Sequence, residues 1–164
     1  MSHIRVVWGS GTGPTKLAAY DAALADAGVE NYNLVTVSSV VPGGVPVEAT
    51  ETAPDLGPIG NRLTVVEACA TVAGAASATA ALGWCRRPDD GPGLFYECAG
   101  EIDGEEADRR IREGLDAGLS LRGWDGQDRH VRVERASAPA GTYASAVVLA
   151  VYGESTPIVG QGSS

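Results

Sequence analysis

The chain has 164 residues and a formal net charge of −9, which suits a single domain and argues against nucleic acid or anionic lipid as partners. The negative charge is compatible with a small cationic substrate. Lys16 is the one lysine among 12 basic residues, and a single phenylalanine and a single methionine leave alanine and valine to build the core. This composition predicts adaptation to a high-salt cytoplasm, because salt screens repulsion between carboxylates.

The cysteines and the apolar stretches indicate in which cellular compartment the protein is found. The three cysteines have no C-x-x-C spacing, so we expect neither a disulfide framework nor a zinc site. The start of the chain lacks the apolar core of a signal peptide, so a cytoplasmic location is expected. Residues 63–82 could be considered as a membrane span, but they contain Glu67 and are rich in alanine, threonine and glycine. A core strand followed by a second packed element is the preferred interpretation.

The N-terminal segment predicts a strand, a turn and a helix. Residues 3–8 predict a strand, and GSGTGPTK at residues 9–16 predicts a tight turn with Gly13 near the helix cap and Pro14 in the first turn. The turn lacks the Gly-Lys-Ser/Thr run of a phosphate-binding loop and the spacing of G-x-G-x-x-G, so nucleotide binding through residues 9–13 is kept only as an alternative.

Residues 14–27 predict an amphipathic helix that ends at Gly28. The predicted buried face consists of Leu17, Tyr20, Leu24 and Ala27. Asp21 lies beside this face, and its simplest interpretation is a carboxylate on the helix surface.

The run NYNLVTVSSVVPGG, residues 31–44, predicts a half-buried strand that stops at the Pro-Gly-Gly turn. Ser38 and Ser39 therefore lie at the end of a strand, immediately before a break. An unpaired buried hydroxyl costs about 1–3 kcal/mol, so these hydroxyls should be paired or used. In the simplest interpretation they form hydrogen bonds with the nearby backbone.

The middle of the chain predicts a loop at residues 44–61, a strand at residues 63–73 and a short helix at residues 75–82. A polar turn at residues 86–93 precedes a short strand at residues 94–99 that contains Glu97. We expect this loop to border the site at the serines. Its acidic residues could add negative charge to a pocket that binds a cation, or could simply be solvated. These residues are Glu48, Glu51 and Asp55.

The C-terminal part predicts the clearest helix, capped by Asp103 and ending near Gly123. Its buried stripe is Ala107, Ile111, Leu115 and Leu119, and its exposed pairs are Glu105–Arg109, Glu106–Arg110 and Asp108–Arg112. Two strands follow, around residues 131–133 and 143–152, with a hairpin turn at residues 139–141. The tail, residues 155–164, is expected to be loose, and the overall fold class is α+β.

Five runs of this sequence resemble the pyruvoyl-dependent arginine decarboxylases: GSGTG, AYDAALADAG, NYNLVTVSS, LFYE and LRGW. The resemblance covers most of residues 5–152. It implies a four-layer αββα sandwich of two mainly antiparallel sheets with outer helices. It also implies a homotrimer with the active site between subunits.

The resemblance implies that the Ser38–Ser39 bond cleaves itself. The single domain would be cut into a β chain, residues 1–38, and an α chain, residues 39–164, with Ser38 as the new C-terminus. Ser39 would become a covalent pyruvoyl group, without metal or pyridoxal phosphate. The substrate amine would form a Schiff base on its ketone, and L-arginine would yield agmatine and CO2.

By the same resemblance, Glu97 is the proton donor after CO2 is lost, and Asp21 and Asn33 bind the substrate. The chemistry agrees, because a carboxylate accepts a guanidinium bidentately and burial raises the pKa of a carboxylic acid. Two alternatives remain: a pyruvoyl decarboxylase for another amino acid, such as ornithine, lysine or aspartate, and an unprocessed domain that binds a small molecule or nucleotide.

Overall fold

The structure is a computed structural model that describes residues 3–160, where nine strands and two helices form. In chain order they are β1 Ile4–Gly13, α1 Lys16–Ala27, β2 Asn33–Thr36, β3 Val40–Val41, β4 Val47–Glu51, β5 Arg62–Ala73, β6 Ser77–Arg86, β7 Gly93–Gly100, α2 Gly104–Arg122, β8 His130–Ser137 and β9 Tyr143–Tyr152. The five-stranded sheet has the order β2-β5-β9-β1-β4, and the four-stranded sheet has the order β3-β7-β6-β8.

The two sheets pack face to face, with α1 on the outside of the five-stranded sheet and α2 on the outside of the four-stranded sheet. One apolar cluster fills the space between the sheets, and two others lie under the helices. Pairing is parallel in β1–β4 and β2–β5 and antiparallel elsewhere. The predicted α+β class and αββα sandwich are therefore confirmed.

The glycine-rich turn predicted at residues 9–16 is wrong, because β1 continues through Gly13 and pairs with β9 along its whole length. Alternate glycines let α1 lie directly on the strand: a Cβ atom at Gly11 would lie 2.5 Å from the amide nitrogen of Ala23, and one at Gly13 would lie 2.7 Å from that of Ala19. A phosphate-binding loop is thereby excluded here, since this backbone is committed to the sheet.

Helix α1 begins two residues later than predicted, at Lys16. Its N-cap is Thr15, whose hydroxyl accepts a hydrogen bond from the amide of Ala18, and Gly28 ends it in the left-handed region. Leu17, predicted to be buried, is 80% exposed, because the face toward the sheet is built mainly from alanines.

The short helix predicted at residues 75–82 is wrong, and the alanine-rich segment is instead the central strand β6. Alanine has a high helix propensity, but β6 is buried between β7 and β8 and covered on both faces, and this tertiary packing prevails. The stretch 63–82 thus comprises β5 of the five-stranded sheet, a short turn and the first part of β6 in the four-stranded sheet. Among the described residues, no helix is long and apolar enough to cross a membrane.

The hairpin predicted at residues 139–141 is also wrong, because β8 and β9 belong to different sheets. The predicted loop at residues 44–61 contains the edge strand β4, which pairs with β1 at the side of the sheet far from β2. Glu48 and Glu51 therefore lie at the edge opposite the serines. Asp55, an exposed residue, accepts a hydrogen bond from the amide of Gly57.

Helix α2 agrees with the sequence prediction. Asp103 caps it by accepting from the amide of Glu106, Gly123 ends it, and the four predicted stripe residues are buried. Two of the predicted ion pairs form, Glu106–Arg110 and Asp108–Arg112. The Glu105–Arg109 pair does not, because Arg109 binds Glu106 and Glu113 instead.

The tail predicted to be loose from Ser155 is fixed at its beginning. The amide of Ser155 donates to the carbonyl oxygen of Leu56 at 3.1 Å, and Thr156 exchanges two backbone hydrogen bonds with Arg62. Residues 161–164 lie outside the described residues.

Candidate active site

Ser38 and Ser39 lie where the chain crosses from one sheet to the other. After β2, the amide of Val37 still donates to the carbonyl oxygen of Val65 in the five-stranded sheet at 2.9 Å. Two residues later, the carbonyl oxygen of Ser39 accepts from the amide of Phe95 in the four-stranded sheet at 2.8 Å. The Ser38–Ser39 peptide is thus the link between two anchored points.

The serine hydroxyls are not used by the fold. Ser38 is exposed and Ser39 is partly buried, and neither side chain forms a hydrogen bond with another described residue, so the simplest interpretation from the sequence is wrong. The strand is also less buried than predicted, with Val35, Val37 and Val40 39%, 41% and 45% exposed. Neither serine is among the described non-glycine residues with positive φ. The site therefore offers free hydroxyls on an anchored backbone.

A pocket of about 290 Å³ between β7 and α2 opens beside Ser39. Its walls are largely apolar, from Leu94, Phe95 and Leu115, and Arg122 is the basic residue in its lining. Glycines on α2 make this space, since a side chain at Gly114 would collide with the ring of Tyr96. The pocket can accept a small group attached to Ser39, but Arg122 makes it unsuitable for a guanidinium.

Glu97 lies on β7, two residues beyond Phe95, on the strand face that points between the sheets. It pairs in register with Leu82 of β6 and does not line the pocket beside Ser39. Glu97 is exposed, yet partial desolvation by the surrounding protein raises the pKa of its carboxyl group above the usual value. Such an acid keeps its proton closer to neutral pH.

Asn33 begins β2 and is exposed at the same edge of the sandwich. Its side-chain amide donates to the carbonyl oxygen of Gly60 at 2.8 Å, while the amide of Gly60 donates to the carbonyl oxygen of Asn31. Asn33 therefore fixes the connection before β5, and its side chain is placed by the fold.

Asp21 is not brought to Ser39 within one chain. It is exposed on α1, on the outer face of the five-stranded sheet, and forms no hydrogen bond or ion pair with another described residue. Beside it, Tyr20 donates a hydrogen bond of 2.6 Å to Glu67 of β5. Burial raises the pKa of Glu67, while this hydrogen bond lowers it.

The Tyr20–Glu67 pair was missed from the sequence. The signal for this pair in the sequence is a glutamate within an otherwise apolar strand, the same pattern that singles out Glu97. The pair places the half-buried carboxylate of Glu67 under α1, the helix that also carries Asp21.

Comparison with known proteins gives the family. The model of the pyruvoyl-dependent arginine decarboxylase family matches residues 3–157. The chain belongs to the pyruvoyl-dependent arginine decarboxylase family. Curated pyruvoyl-dependent arginine decarboxylases include a relative from Halobacterium salinarum that is 53% identical over 161 residues, covering 98% of this chain and 100% of the relative.

More distant members of the pyruvoyl-dependent arginine decarboxylase family match shorter parts. The enzyme of Pyrococcus abyssi is 38% identical over 113 residues, or 68% of this chain and 70% of its own. That of Methanocaldococcus jannaschii is 30% identical over 126 residues, or 74% of this chain and 73% of its own. The family requires a pyruvoyl group, and the free hydroxyl of Ser39, its anchored carbonyl and the adjoining pocket fit one.

Proposed function

We propose that this chain is a pyruvoyl-dependent arginine decarboxylase that converts L-arginine to agmatine and CO2 on a pyruvoyl group made from Ser39. The observation that carries the proposal is the Ser38–Ser39 peptide. It lies between two backbone anchors with its hydroxyls free, in a chain 53% identical to an enzyme of that name.

The chain makes the group from its own atoms. Ser39 Oγ attacks the carbonyl carbon of Ser38, so the peptide bond becomes an ester. β-Elimination releases Ser38 as a carboxylate and leaves dehydroalanine at position 39, which tautomerises and is hydrolysed with loss of ammonia. The anchors at Val37 and Ser39 hold the peptide while its bonds rearrange.

A pyruvoyl group at residue 39 would supply a ketone able to take the substrate amine as a Schiff base and an electron sink for the loss of CO2. Phe95 places its amide N–H against the carbonyl oxygen of residue 39, where a fixed donor stabilises developing negative charge. Glu97, whose pKa is raised by desolvation, delivers the proton that replaces CO2. The largely apolar pocket walls adjoin this end of the site.

Asp21 binds the cationic end of the substrate, and Asn33 makes a polar contact to the substrate. Asp21 lies away from Ser39 in its own chain, and Arg122 in the adjoining pocket repels a guanidinium. We therefore propose that the active enzyme is a homotrimer of cut chains, in which Asp21 of one subunit faces the Ser39 of a neighbouring subunit. The exposed apolar side chains of Leu17, Val37 and Val40 suit burial in such an interface.

Decarboxylation of another amino acid is the second candidate, since the pyruvoyl chemistry is the same. Release of CO2 from a panel of arginine, ornithine, lysine and aspartate tests the choice. We expect arginine to give the highest kcat/KM by more than tenfold, because a guanidinium matches a carboxylate bidentately. Preference for any other member of the panel would overturn the arginine assignment.

The enzyme is adapted to high salt, as its net charge of −9 and its similarity to the Halobacterium salinarum protein support. We expect secondary structure to be lost as KCl is reduced from molar concentrations, because carboxylate repulsion is then unscreened. Circular dichroism with increasing KCl checks this, and equal thermal stability at low and molar KCl would contradict it.

A further inference from the structure

The segment that follows the second serine, residues 40–45, is held by a side chain from outside the pocket. Arg86, the last residue of β6, donates from its guanidinium to the carbonyl oxygens of Pro42, Val45 and Asp90. The bonds to Pro42 and Asp90 are each 3.3 Å long. Arg86 thereby ties the turn after β3 to the connection between β6 and β7.

Tyr152 holds the same segment from the opposite sheet. Its hydroxyl donates to the carbonyl oxygen of Val40 at 2.7 Å, and its ring packs edge-on against Phe95 with centroids 6.1 Å apart. Burial raises the pKa of Tyr152 to about 12, so the hydroxyl keeps its proton at neutral pH. Val40 is the residue next to Ser39, which places this contact one peptide away from the reactive position.

Cutting the Ser38–Ser39 bond changes what these contacts must achieve. In the uncut chain, residues 39–45 are held covalently on both sides. In the cut chain, residue 39 becomes a free end whose own contact is the hydrogen bond from the amide of Phe95 to its carbonyl oxygen. The strand β3 that follows has only two residues, which is too short to hold a chain end by itself. A free end regains conformational freedom unless other contacts restrain it.

We propose that Arg86 and Tyr152 are positioning residues that keep residues 39–45 docked after the chain is cut. The inference rests on the proposed function, because only a cut chain has this free end. Both residues act through backbone carbonyls, and neither contacts the reacting atoms. Their substitution should release the segment without preventing the fold.

Hydrogen exchange followed by mass spectrometry tests the proposal on peptides that cover residues 39–45 of the cut enzyme. In Arg86→Gln and in Tyr152→Phe, we expect these peptides to exchange about tenfold faster than in the wild type, while peptides from β5 and β9 are unchanged. The matched controls are Arg87→Gln, next to Arg86, and Tyr143→Phe, at the other end of β9. Both should exchange like the wild type.

The same substitutions in an uncut Ser39→Ala background separate this role from a general effect on folding. There the link to Ser38 restrains the segment, so Arg86→Gln should accelerate exchange by less than about twofold. Wild-type exchange at residues 39–45 in the cut variants, or equal acceleration in both backgrounds, would overturn the positioning role. If Arg86→Gln does not fold, Arg86→Lys and Tyr152→Phe carry the test.

A denaturing gel of the wild type distinguishes a failure of the positioning role from a failure of the proposed function. Two fragments with unchanged exchange in the variants would remove only the positioning role. A single uncut band would remove the proposed function and the positioning role together.

Discussion

The edge where the chain crosses between the sheets and the outer face covered by α2 are built in opposite ways. On α2, charged side chains pair with one another, as in Glu106–Arg110 and Asp108–Arg112, and the apolar stripe is buried. At the crossing edge, the hydroxyl of Ser39 has no partner among the described residues, Glu97 has a raised pKa, and valines are exposed.

The two regions differ in how many polar and apolar groups they leave without a partner. A face whose charges and apolar groups already have partners tolerates substitution of its exposed side chains. An edge with unused polar groups and exposed apolar side chains is suited to reaction and to contact with a second subunit. Paired substitutions, one at each region, test this contrast.

The largest effect is expected for Ser39→Ala. Without Oγ there is no nucleophile for the Ser38 carbonyl, so the chain should stay uncut and activity should be lost completely. Ser120→Ala, on the exposed side of α2, should be cut and active like the wild type. Denaturing gels and CO2 release measure both. Cleavage of Ser39→Ala at this position would contradict the assignment.

Glu97→Gln should retain cleavage but lower kcat by about 10²–10⁴-fold, the usual contribution of a general acid. Glu105→Gln on α2 is the matched control and should change kcat less than twofold. Cleavage is followed by gel and kcat by steady-state assay. Full activity of Glu97→Gln would remove this residue from the mechanism.

The raised pKa of Glu97 also predicts a pH dependence. The donor works only in its protonated form, so kcat should be constant at pH values below the raised pKa and fall as the pH rises through it. The pH profile of kcat should lose this limb in Glu97→Gln. An unaltered limb in that variant would assign the titration to another group.

Asp21→Asn should raise KM for arginine about ten- to hundredfold, because a charge-assisted hydrogen bond contributes about 1.5–3 kcal/mol. Cleavage and kcat should change little. Asp108→Asn, whose carboxylate pairs with Arg112 on α2, is the control and should leave KM unchanged. Steady-state kinetics decide, and an unchanged KM in Asp21→Asn would exclude Asp21 from substrate binding.

The smallest effect is the loss of stability in Asp108→Asn. The exposed pair with Arg112 is screened by salt, so the melting temperature should fall by no more than about 2 °C at low salt and not measurably in molar KCl. Differential scanning calorimetry measures both. A larger fall in melting temperature that persists in molar KCl would contradict the view that the Asp108–Arg112 pair contributes little to stability.

The sequence predicted α2 well because its signals are local: a cap at Asp103, a stripe with helical period and a glycine stop. It failed for residues 9–13 and 75–82, where glycine and alanine suit a turn and a helix by themselves. Their strand conformation depends on α1 and on neighbouring strands that are distant in sequence. Local propensity cannot report such packing.

The site was predicted unevenly for the same reason. The motifs single out the serines and Glu97 as candidate site residues, an assignment that stays a prediction, and the structure adds that the serines link two sheets. The Tyr20–Glu67 pair and the contacts of Arg86 and Tyr152 join residues far apart in the chain. No spacing pattern encodes them.

Intact mass spectrometry of the freshly purified, denatured protein tests the central claim most directly. We predict two fragments, residues 1–38 and residues 39–164, the larger of them lighter by one ammonia than the same fragment with an N-terminal serine. A single chain with the mass of the unmodified 164 residues would contradict the account.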